Sequence, residues 1–438
     1  MAASAPAGFL VSDTQAPPEL ELPAVPLTLD FHPTADVIAV GLVDGSLRVS
    51  RYATTGHEAP FLDLSPFRAG AGGCRAVRFS PDGSHLFAGS ADHSLAAFTP
   101  TGAVTWQLPD AHRDPVSCLH VSGFSSSSCD GSGGGGGGGN SYLASGDDSG
   151  AVKVWDLRAP PAKPTVEFDV FQDYVAEITS DIERHPECLL ACSGDGSMAC
   201  FDLRMPGRVL GKSNDLEEDL LSMEVIKGGR KVVCGTSEGT LLIFSWGNWD
   251  GPTDSLPGHP ESVGSLLKLD ESTVLSGSSD GLIRVVGVQP SKLYGLVGDH
   301  DGFPVERMAW SKDRCLIGTV SHDHKVRFWD TAYLHDDDDD GDDDDGGGAE
   351  EVEGEDHTNP ELLAAMRARA AATAAGGDED SDEDGWEDED GDDGSAKDSM
   401  SDSDDDSDHG SSGGGGGGGG SRGAAQFKTP AQNFFQDL

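Results

Sequence analysis

Histidine, aspartate and serine side chains, which in the right geometry transfer protons and activate hydroxyl nucleophiles, recur along this chain at a regular interval. A histidine lies upstream of several repeats, and an acidic or hydroxyl residue precedes each of seven turn positions. The histidines are His57, His112, His259 and His300. The residues before the turns are Asp44, Asp92, Ser149, Asp195, Glu238, Asp280 and Asp323. Because a catalytic site uses its residues once, residues repeated in every unit are expected to stabilise the unit.

Sequence signatures of catalysis do not accompany these side chains. The chain lacks GxxxxGK(S/T) and HExxH, and its polyglycine runs lack the lysine that a phosphate-binding loop requires. We therefore predict that the protein is not an enzyme and binds no cofactor. Its surfaces are expected to carry the function.

The stretch 143–158, LASGDDSGAVKVWDLR, indicates a strand, a tight turn and a second strand rich in β-branched and aromatic residues. Similar hairpins recur at spacings of 42 to 57 residues, a period typical of four-stranded propeller blades. The longest spacing contains the glycine run 133–139, which indicates an inserted loop. The turn positions are Gly45, His93, Gly150, Gly196, Gly239, Gly281 and His324.

These residues resemble the WD-repeat family, in which a histidine, a strand serine or threonine, the turn aspartate and a tryptophan form a buried hydrogen-bonded set within a blade. Five residues after the turns stand Ser50, Phe98, Trp155, Phe201, Phe244, Val286 and Trp329. The last repeat matches the family best, with His300, Thr319, Asp323 and Trp329. The repeat at 143–158 keeps Ser145 and Trp155, but Ser149 stands where the family has aspartate.

The predicted architecture is an all-β, seven-bladed WD-repeat propeller over 25–334, with a glycine-rich loop insert at 123–140. A long disordered acidic tail follows over 335–438. The last blade is short of its fourth strand, so we expect the N-terminal segment 1–24 to supply a closing strand, at 9–12 or at 19–22.

Net charge constrains the partners. The formal charge is −48, and the tail carries 34 acidic and 5 basic residues, so the propeller is itself acidic. Direct nucleic-acid binding, which needs clustered lysine and arginine, is not expected. Basic ribosomal or chromatin proteins, histones included, are the electrostatically favoured partners.

The tail contains three features that could bind or be modified. Residues 359–375 form a helix candidate, with asparagine at the cap and proline at the first helical position. The terminus 427–438 is interpreted as a docking motif that includes Phe434, Phe435 and Leu438. Candidate phosphorylation sites, each with acid three residues downstream as casein-kinase-2-type enzymes prefer, are Ser381, Ser399, Ser401 and Ser403.

The eight cysteines form no CxxC pair, so we expect reduced thiols and no metal site. No signal peptide is apparent, and no apolar run is long enough to span a bilayer. An intracellular, soluble protein without a membrane partner is therefore predicted.

Two adjacent repeats end in similar tetrapeptides, WDLR at 155–158 and FDLR at 201–204. The first resembles the WDxR pattern of propellers that dock, as substrate receptors, on the damaged-DNA-binding adaptor of cullin-4 RING ubiquitin ligases. The alternative is ordinary blade sequence, in which a hydrophobic and a basic residue commonly follow the dipeptide. The residues that the resemblance implies in adaptor binding are Trp155, Asp156, Arg158, Asp202 and Arg204.

The chain as a whole resembles the WD-repeat protein 55 family, through the propeller, the SGDDSGAVKVWDLR hairpin, the acidic tail and the terminal Phe-Phe motif. That resemblance implies a nuclear and nucleolar protein that supports ribosomal RNA production, with the cytoplasm as the alternative compartment. Two hypotheses follow. One is a protein-interaction scaffold of ribosome biogenesis that also serves as a ligase substrate receptor. The other is a chaperone-like binder of basic proteins without a ligase role.

Overall fold

The computed structural model describes residues 16–52, 67–68, 72–122, 141–158, 163–181, 184–205 and 207–334. These residues form seven antiparallel four-stranded sheets, which confirms the prediction of an all-β, seven-bladed propeller. We call the sheets blades 1 to 7 and label the strands of each blade A to D from the inside outward.

In blades 1 to 4 the strands follow one another along the chain. Blade 1 consists of β2 (Pro26–Phe31), β3 (Val37–Leu42), β4 (Ser46–Arg51) and β5 (Phe67–Arg68). Blade 2 consists of β6 (Cys74–Phe79), β7 (Leu86–Ser90), β8 (Leu95–Phe98) and β9 (Val104–Leu108). Blade 3 consists of β10 (Val116–Ser122), β11 (Tyr142–Asp147), β12 (Ala151–Asp156) and β13 (Val166–Asp169). Blade 4 consists of β14 (Val175–Thr179), β15 (Cys188–Ser193), β16 (Met198–Asp202) and β17 (Arg208–Lys212).

Blades 5 and 6 repeat this order, and blade 7 borrows its outer strand. Blade 5 consists of β18 (Leu220–Ile226), β19 (Lys231–Thr236), β20 (Thr240–Ser245) and β21 (Asp254–Pro257). Blade 6 consists of β22 (Val263–Lys268), β23 (Thr273–Ser278), β24 (Leu282–Gly287) and β25 (Lys292–Asp299). Blade 7 consists of β26 (Val305–Trp310), β27 (Leu316–Ser321), β28 (Lys325–Asp330) and β1 (Leu20–Glu21), followed by a 3-10 turn, Ala332–Leu334.

The ring is closed by β1, which pairs antiparallel with β28, so Leu20 lies opposite Val326. Lys325 Nζ lies 2.6 Å from Glu19 Oε2, an ion pair that flanks the junction. Closure in this way covers the outer edge of β28. Of the two segments proposed for this strand, 19–22 contains β1, and 9–12 lies outside the described residues.

The blades pack against one another through apolar side chains, and the burial pattern reflects distance from the channel. Strand B is fully buried in most blades, whereas strand D is largely exposed, as in β9 and β17. A bulge follows the first residue of every strand A. In blades 2, 3, 4, 6 and 7, that first residue lies against a strand B glycine of the blade before it. At Gly146, for example, an added Cβ would lie 2.6 Å from Val175 Cβ, so glycine is required for this approach.

Candidate functional site

The loops lie at two ends of the ring, because consecutive antiparallel strands reverse direction. The AB and CD loops share one end, and the BC loops share the other with the DA loops that lead to the next blade. Within the described residues, the BC and DA loops contain 16 acidic residues and one basic residue, Arg113. The AB and CD loops contain 8 of each. Among the described residues, the BC/DA loops are therefore strongly negative, and the AB/CD loops contain equal numbers of acids and bases.

Four carboxylates at the BC/DA end occupy equivalent positions, two residues before strand A in blades 3 to 6. Phe303 holds the same position in blade 7, and its side chain is 47% exposed, unusual for phenylalanine. Blades 3 to 6 thus each present a carboxylate at this position, and blade 7, the next blade around the ring, presents an exposed aromatic ring. We call this set the acidic rim; its members are Asp114, Asp173, Glu218, Glu261 and Phe303.

The BC turns hold the acidic rim in place. Gly150 and Gly239 have φ of 89° and 79°, a left-handed conformation that favours glycine. An added Cβ at Gly150 would lie 2.8 Å from the carbonyl oxygen of Asp173, and one at Gly239 would lie 2.7 Å from that of Glu261. The backbones of Asp173 and Glu261 therefore lie directly against the BC turns of the preceding blades.

Behind the rim, the last repeat forms the network that the sequence indicates. His300 Nε2 lies 2.7 Å from Thr319 Oγ1, and His300 Nδ1 lies 3.3 Å from Asp323 Oδ2. Trp329 Nε1 donates to Thr319 Oγ1 over 2.9 Å. The histidine and threonine are fully buried. The four residues tie a DA loop, strand B, the BC turn and strand C into one unit.

The repeat at 143–158 contains the same network, with a carboxylate that sequence reasoning missed. Asp147 Oδ2 lies 2.7 Å from His112 Nδ1, and Ser145 Oγ lies 2.6 Å from His112 Nε2 and accepts from Trp155 Nε1 over 2.8 Å. Ser149 donates to Asp147 Oδ1 over 2.7 Å. The interpretation that Ser149 replaces the turn aspartate is wrong, because Asp147, two residues earlier, takes that place.

Burial and hydrogen bonding shift the pKa of the Asp147 carboxyl in opposite directions. Burial would raise the pKa of Asp147, but hydrogen bonds from His112, Ser149 and Ala151 outweigh it and lower that pKa. Burial lowers the pKa of His112 despite the adjacent carboxylate, which favours a neutral imidazole. His112, Asp147 and Ser145 thus have the connectivity of a hydrolase triad. They are nevertheless buried in the blade, where no substrate can reach them.

Blade 6 uses a rearranged version of this network. His259 Nε2 lies 2.8 Å from Ser276 Oγ, while its Nδ1 has no hydrogen-bond partner among the described residues. Asp280 instead binds Arg284, whose NH2 donates to Asp280 Oδ2 over 2.5 Å. Val286 stands where the other networks have tryptophan. In blade 6 the Arg284–Asp280 pair therefore stabilises the BC turn in place of the histidine–aspartate contact. The upstream His57 of the first repeats lies outside the described residues.

Two GxSxG strings occur within the described part of the chain, at 235–239 and 277–281. Both run from strand B into a BC turn that leads to another strand, whereas a nucleophile elbow joins a strand to a helix. Ser279 Oγ lies 2.6 Å from Ser262 Oγ, and the backbone N–H of Asp219 donates to Ser237 Oγ. Neither contact includes a histidine, so these serines belong to turns.

The channel of the ring contains charged side chains from several A strands. Arg307 of blade 7 lies 3.4 Å from Glu177 of blade 4, and Arg78 of blade 2 lies 3.9 Å from the same carboxylate oxygen. The backbone N–H of Met223 donates to the other oxygen over 3.1 Å. Side chains from three blades and a backbone N–H group of a fourth therefore meet around Glu177.

The two predicted adaptor-binding arginines lie at the AB/CD end, where strands C of blades 3 and 4 finish. Arg158 Nε donates to Asp156 Oδ1 over 2.9 Å, and Arg204 Nε donates to Asp202 Oδ1 over 3.2 Å. Their side chains are 70% and 66% exposed. Trp155 is buried in the blade network and cannot contact a partner directly. The two copies thus present similar arginines, each oriented by the aspartate two residues before it.

Neither metal ligands nor reactive thiols are found in the part of the chain that the structure describes. No group of three or more His, Cys, Asp or Glu side chains could hold a metal ion there. The seven cysteines of this part are free, and six are buried. Burial raises the pKa of Cys74 and Cys118 to about 12, which keeps both thiols protonated. Among the same residues, no helix is long and apolar enough to cross a membrane.

Comparison with known proteins identifies the family. A family model described as WDR55 matches residues 17–334. The WD repeat-containing protein 55 homolog of Dictyostelium discoideum is 34% identical over 326 residues, 73% of this chain and 72% of the homolog. The chain belongs to the WDR55 family. WD repeat-containing protein 55 of Arabidopsis thaliana is 36% identical over 316 residues, 71% of this chain and 82% of that protein. The family resemblance seen in the sequence is confirmed.

Solved structures support the fold that the WDR55 match implies. A chain of the structure titled "Crystal Structure of Mitotic Checkpoint Complex" superposes with a TM-score of 0.59 and 16% identity, covering 76% of this chain and 97% of that chain. At this identity the likeness concerns the fold alone.

The WDR55 match ends at residue 334, and the predicted features beyond it lie outside the described residues. They are the acidic tail 335–438, the helix candidate 359–375, the docking residues Phe434, Phe435 and Leu438, and the serines Ser381, Ser399, Ser401 and Ser403. The insert 123–140 also lies outside the described residues. These features remain predictions.

Proposed function

We propose that this WDR55 family member is a non-catalytic scaffold of the nucleus and nucleolus that binds basic proteins of ribosome biogenesis at its BC/DA end. The observation that carries the proposal is the charge of the BC and DA loops, with 16 acidic residues against one basic residue in the described part. Such a surface attracts lysine- and arginine-rich segments and repels nucleic acid. The nucleolar role rests on the resemblance of the whole sequence to the family.

The acidic rim supplies the place where a basic segment would be held. Its four carboxylates can pair with successive cationic side chains around the channel mouth. Phe303 adds an exposed aromatic face for an arginine or lysine side chain or for an apolar residue of the client. Rim ion pairs mainly raise the association rate, whereas a buried aromatic contact slows dissociation.

Charge reversal at the rim tests this function. The rim variant, Glu217→Lys with Glu261→Lys, changes two exposed carboxylates of the DA loops: Glu261 belongs to the acidic rim, and Glu217 directly precedes the rim residue Glu218. Asp254→Lys with Asp270→Lys makes the same change in charge at the AB/CD end, also at exposed positions, and serves as the control. Affinity purification of each tagged full chain from its own cells, followed by mass spectrometry, compares the bound proteins.

We expect basic ribosome-assembly proteins to co-purify with the wild type and the control, and to be depleted at least fivefold by the rim variant. Phe303→Ala should deplete the same proteins with little effect on folding, since Phe303 is exposed. Equal recovery with the rim and control variants would show that the BC/DA end is not the client surface.

A second function, substrate receptor of a cullin-4 ligase, is favoured by the matched geometry of Arg158 and Arg204. Both guanidinium groups are exposed at the AB/CD end, and each is oriented by its own aspartate. An oriented planar guanidinium loses less freedom on forming a bidentate contact. Similar geometry in adjacent blades offers two such contacts to a single partner.

The double variant Arg158→Ala with Arg204→Ala tests the receptor function in the same purification. Loss of the ligase adaptor and cullin, with the basic proteins retained, would support a receptor role that is separate from the client surface. If adaptor and cullin are absent from the wild-type sample, or unaffected by the double variant, the tetrapeptides are ordinary blade sequence.

A further inference from the structure

The positive charge of the AB/CD end is concentrated in blades 3 to 5. Of the eight basic residues in the described AB and CD loops, six belong to these blades. Five of them form a surface that we call the basic crescent. Its members are Arg158, Arg184, Arg204, Lys227 and Arg230.

Blades 4 and 5 are joined at the centre of the crescent by aromatic packing. The His185 ring stacks on Trp246 with 3.9 Å between centroids and 7° between planes. The backbone N–H of Trp246 donates to Arg230 O over 2.9 Å. An added Cβ at Gly228 would lie 3.1 Å from the Arg184 guanidinium, which places that group over the blade 5 loop. Arg184 and Arg230 are therefore brought together on one rigid surface.

Three crescent side chains retain most of their capacity to bind an anion. No carboxylate of the described residues lies within 4.0 Å of the charged nitrogens of Arg184, Lys227 or Arg230. Arg184 and Arg230 are exposed. Arg230 Nε donates to Lys227 O, and Lys227 Nζ donates to Gln289 O, both neutral acceptors. The Asp181 carboxylate lies beside Arg184, since an added Cβ at Gly229 would meet both Asp181 Oδ2 and Arg184 Cδ. The exposed Arg230 is less compensated, and an acidic segment can bind it.

The described chain ends beside this surface. Leu334, the last described residue, packs in an apolar cluster that contains Leu269 of the blade 6 AB loop. Two residues further along that loop, Glu271 accepts hydrogen bonds from the backbone N–H groups of Lys227 and Gly228. Blade 6 therefore separates the last described residue from the crescent residues of blade 5.

We propose that the acidic segment 336–345 of this chain docks on the basic crescent. The segment contains nine aspartates and begins two residues after Leu334. Ten extended residues reach about 35 Å, and so short a tether gives an effective concentration on the order of millimolar. The BC/DA end, with its 16 acids, repels the same segment. A protein that binds Arg158 and Arg204 must then displace the segment first.

The test uses the full chain and a fluorescein-labelled peptide of residues 335–346. The peptide is titrated into the wild type and into a variant with all nine aspartates of 336–345 changed to asparagine. The asparagine variant is expected to bind at least tenfold more tightly, because its own segment no longer competes. Raising the salt from 50 to 300 mM should weaken that binding at least tenfold.

Substitutions in the asparagine variant locate the site. Arg184→Ser with Arg230→Ser should weaken peptide binding at least tenfold. Lys312→Ser with Arg314→Ser, two cations of blade 7 at the same end, should change it less than twofold. Thermal melting checks that both variants fold.

Three results would overturn the proposal: equal peptide binding by the wild type and the asparagine variant, equal effects of the two serine pairs, or no binding. Preference of the asparagine variant for a single-stranded RNA of similar length over the peptide, lost with Arg184→Ser and Arg230→Ser, would instead assign the crescent to nucleic acid. Because client binding is tested at the opposite end of the ring, either proposal can fail alone.

Discussion

Replacing Glu224 by glutamine should stabilise the propeller above neutral pH and have little effect near pH 4.5. Glu224 lies in β18 and occupies the same position of strand A as Arg78 and His120. Burial raises its pKa to about 7, the negative charge of Glu177 adds to this rise, and backbone hydrogen bonds and Lys268 oppose it.

The sign and size follow from proton linkage. The folded state keeps the proton of Glu224 to a higher pH than the unfolded state, so this group destabilises the fold as pH rises from 4.5 through 7. A rise from 4.5 to about 7 corresponds to about 3 kcal/mol at full ionisation. Because glutamine cannot ionise, Glu224→Gln should raise the free energy of unfolding by up to about 3 kcal/mol at pH 8. At pH 4.5 the gain should be within about 0.5 kcal/mol.

Urea unfolding of the full chain, followed by tryptophan fluorescence at pH 4.5 and pH 8, measures this difference. Glu217→Gln, at an exposed DA loop position, controls for the loss of one charge and should stay within about 0.5 kcal/mol at both pH values. An effect of Glu224→Gln that is the same at both pH values, or destabilising at pH 8, would refute the assignment of an ionising buried carboxyl.

Three further substitutions test the blade architecture by urea unfolding. Asp147→Ala should lower the free energy of unfolding by about 3 kcal/mol, because the buried His112 imidazole loses its carboxylate partner. Ser149→Ala should lower it by about 1 kcal/mol. The reverse ranking would contradict the assignment of Asp147 to the hydrogen-bonded network of blade 3. Gly146→Ala should lower the free energy of unfolding by about 1–3 kcal/mol, because the new Cβ would lie 2.6 Å from Val175 Cβ and 2.8 Å from Cys118 Sγ; an unchanged free energy of unfolding would exclude this clash. Leu20→Ala should lower the free energy of unfolding by about 2 kcal/mol, because Leu20 is buried. It should also speed amide hydrogen exchange in β28, the strand that pairs with β1. Unchanged exchange would mean that β1 does not protect the outer edge of β28.

Much of the fold is predictable because each blade repeats the same local chemistry. The turn residues, the strand B glycines and the strand C aromatics recur in register, so seven weak signals combine into one strong prediction. The His300 network follows from the same periodicity. The network around Asp147 does not, because its carboxylate lies two residues before the expected position, at the end of strand B.

Contacts between blades are beyond such reasoning. Glu177 and Arg307 are 130 residues apart and pair only because the ring closes, with no local pattern that marks either side chain. The stacking of His185 on Trp246 likewise joins an AB loop of one blade to a CD loop of the next. The acidic rim is partly predictable. Its members are two residues before strand A, so they can be read from the sequence once the first residue of each strand A is known.

The difference in charge between the two ends of the ring favours one end over the other as a binding site for the acidic segment 336–345. A segment of nine aspartates is repelled from the BC/DA end, where 16 acids face one arginine in the described loops. The described AB and CD loops contain equal numbers of acids and bases, so this end repels that segment less than the BC/DA end does. Since the chain also leaves the ring at this end, entropy and electrostatics favour the same location. If the acidic segment docks on the basic crescent as we propose, the proposed client surface at the BC/DA end stays accessible to basic proteins.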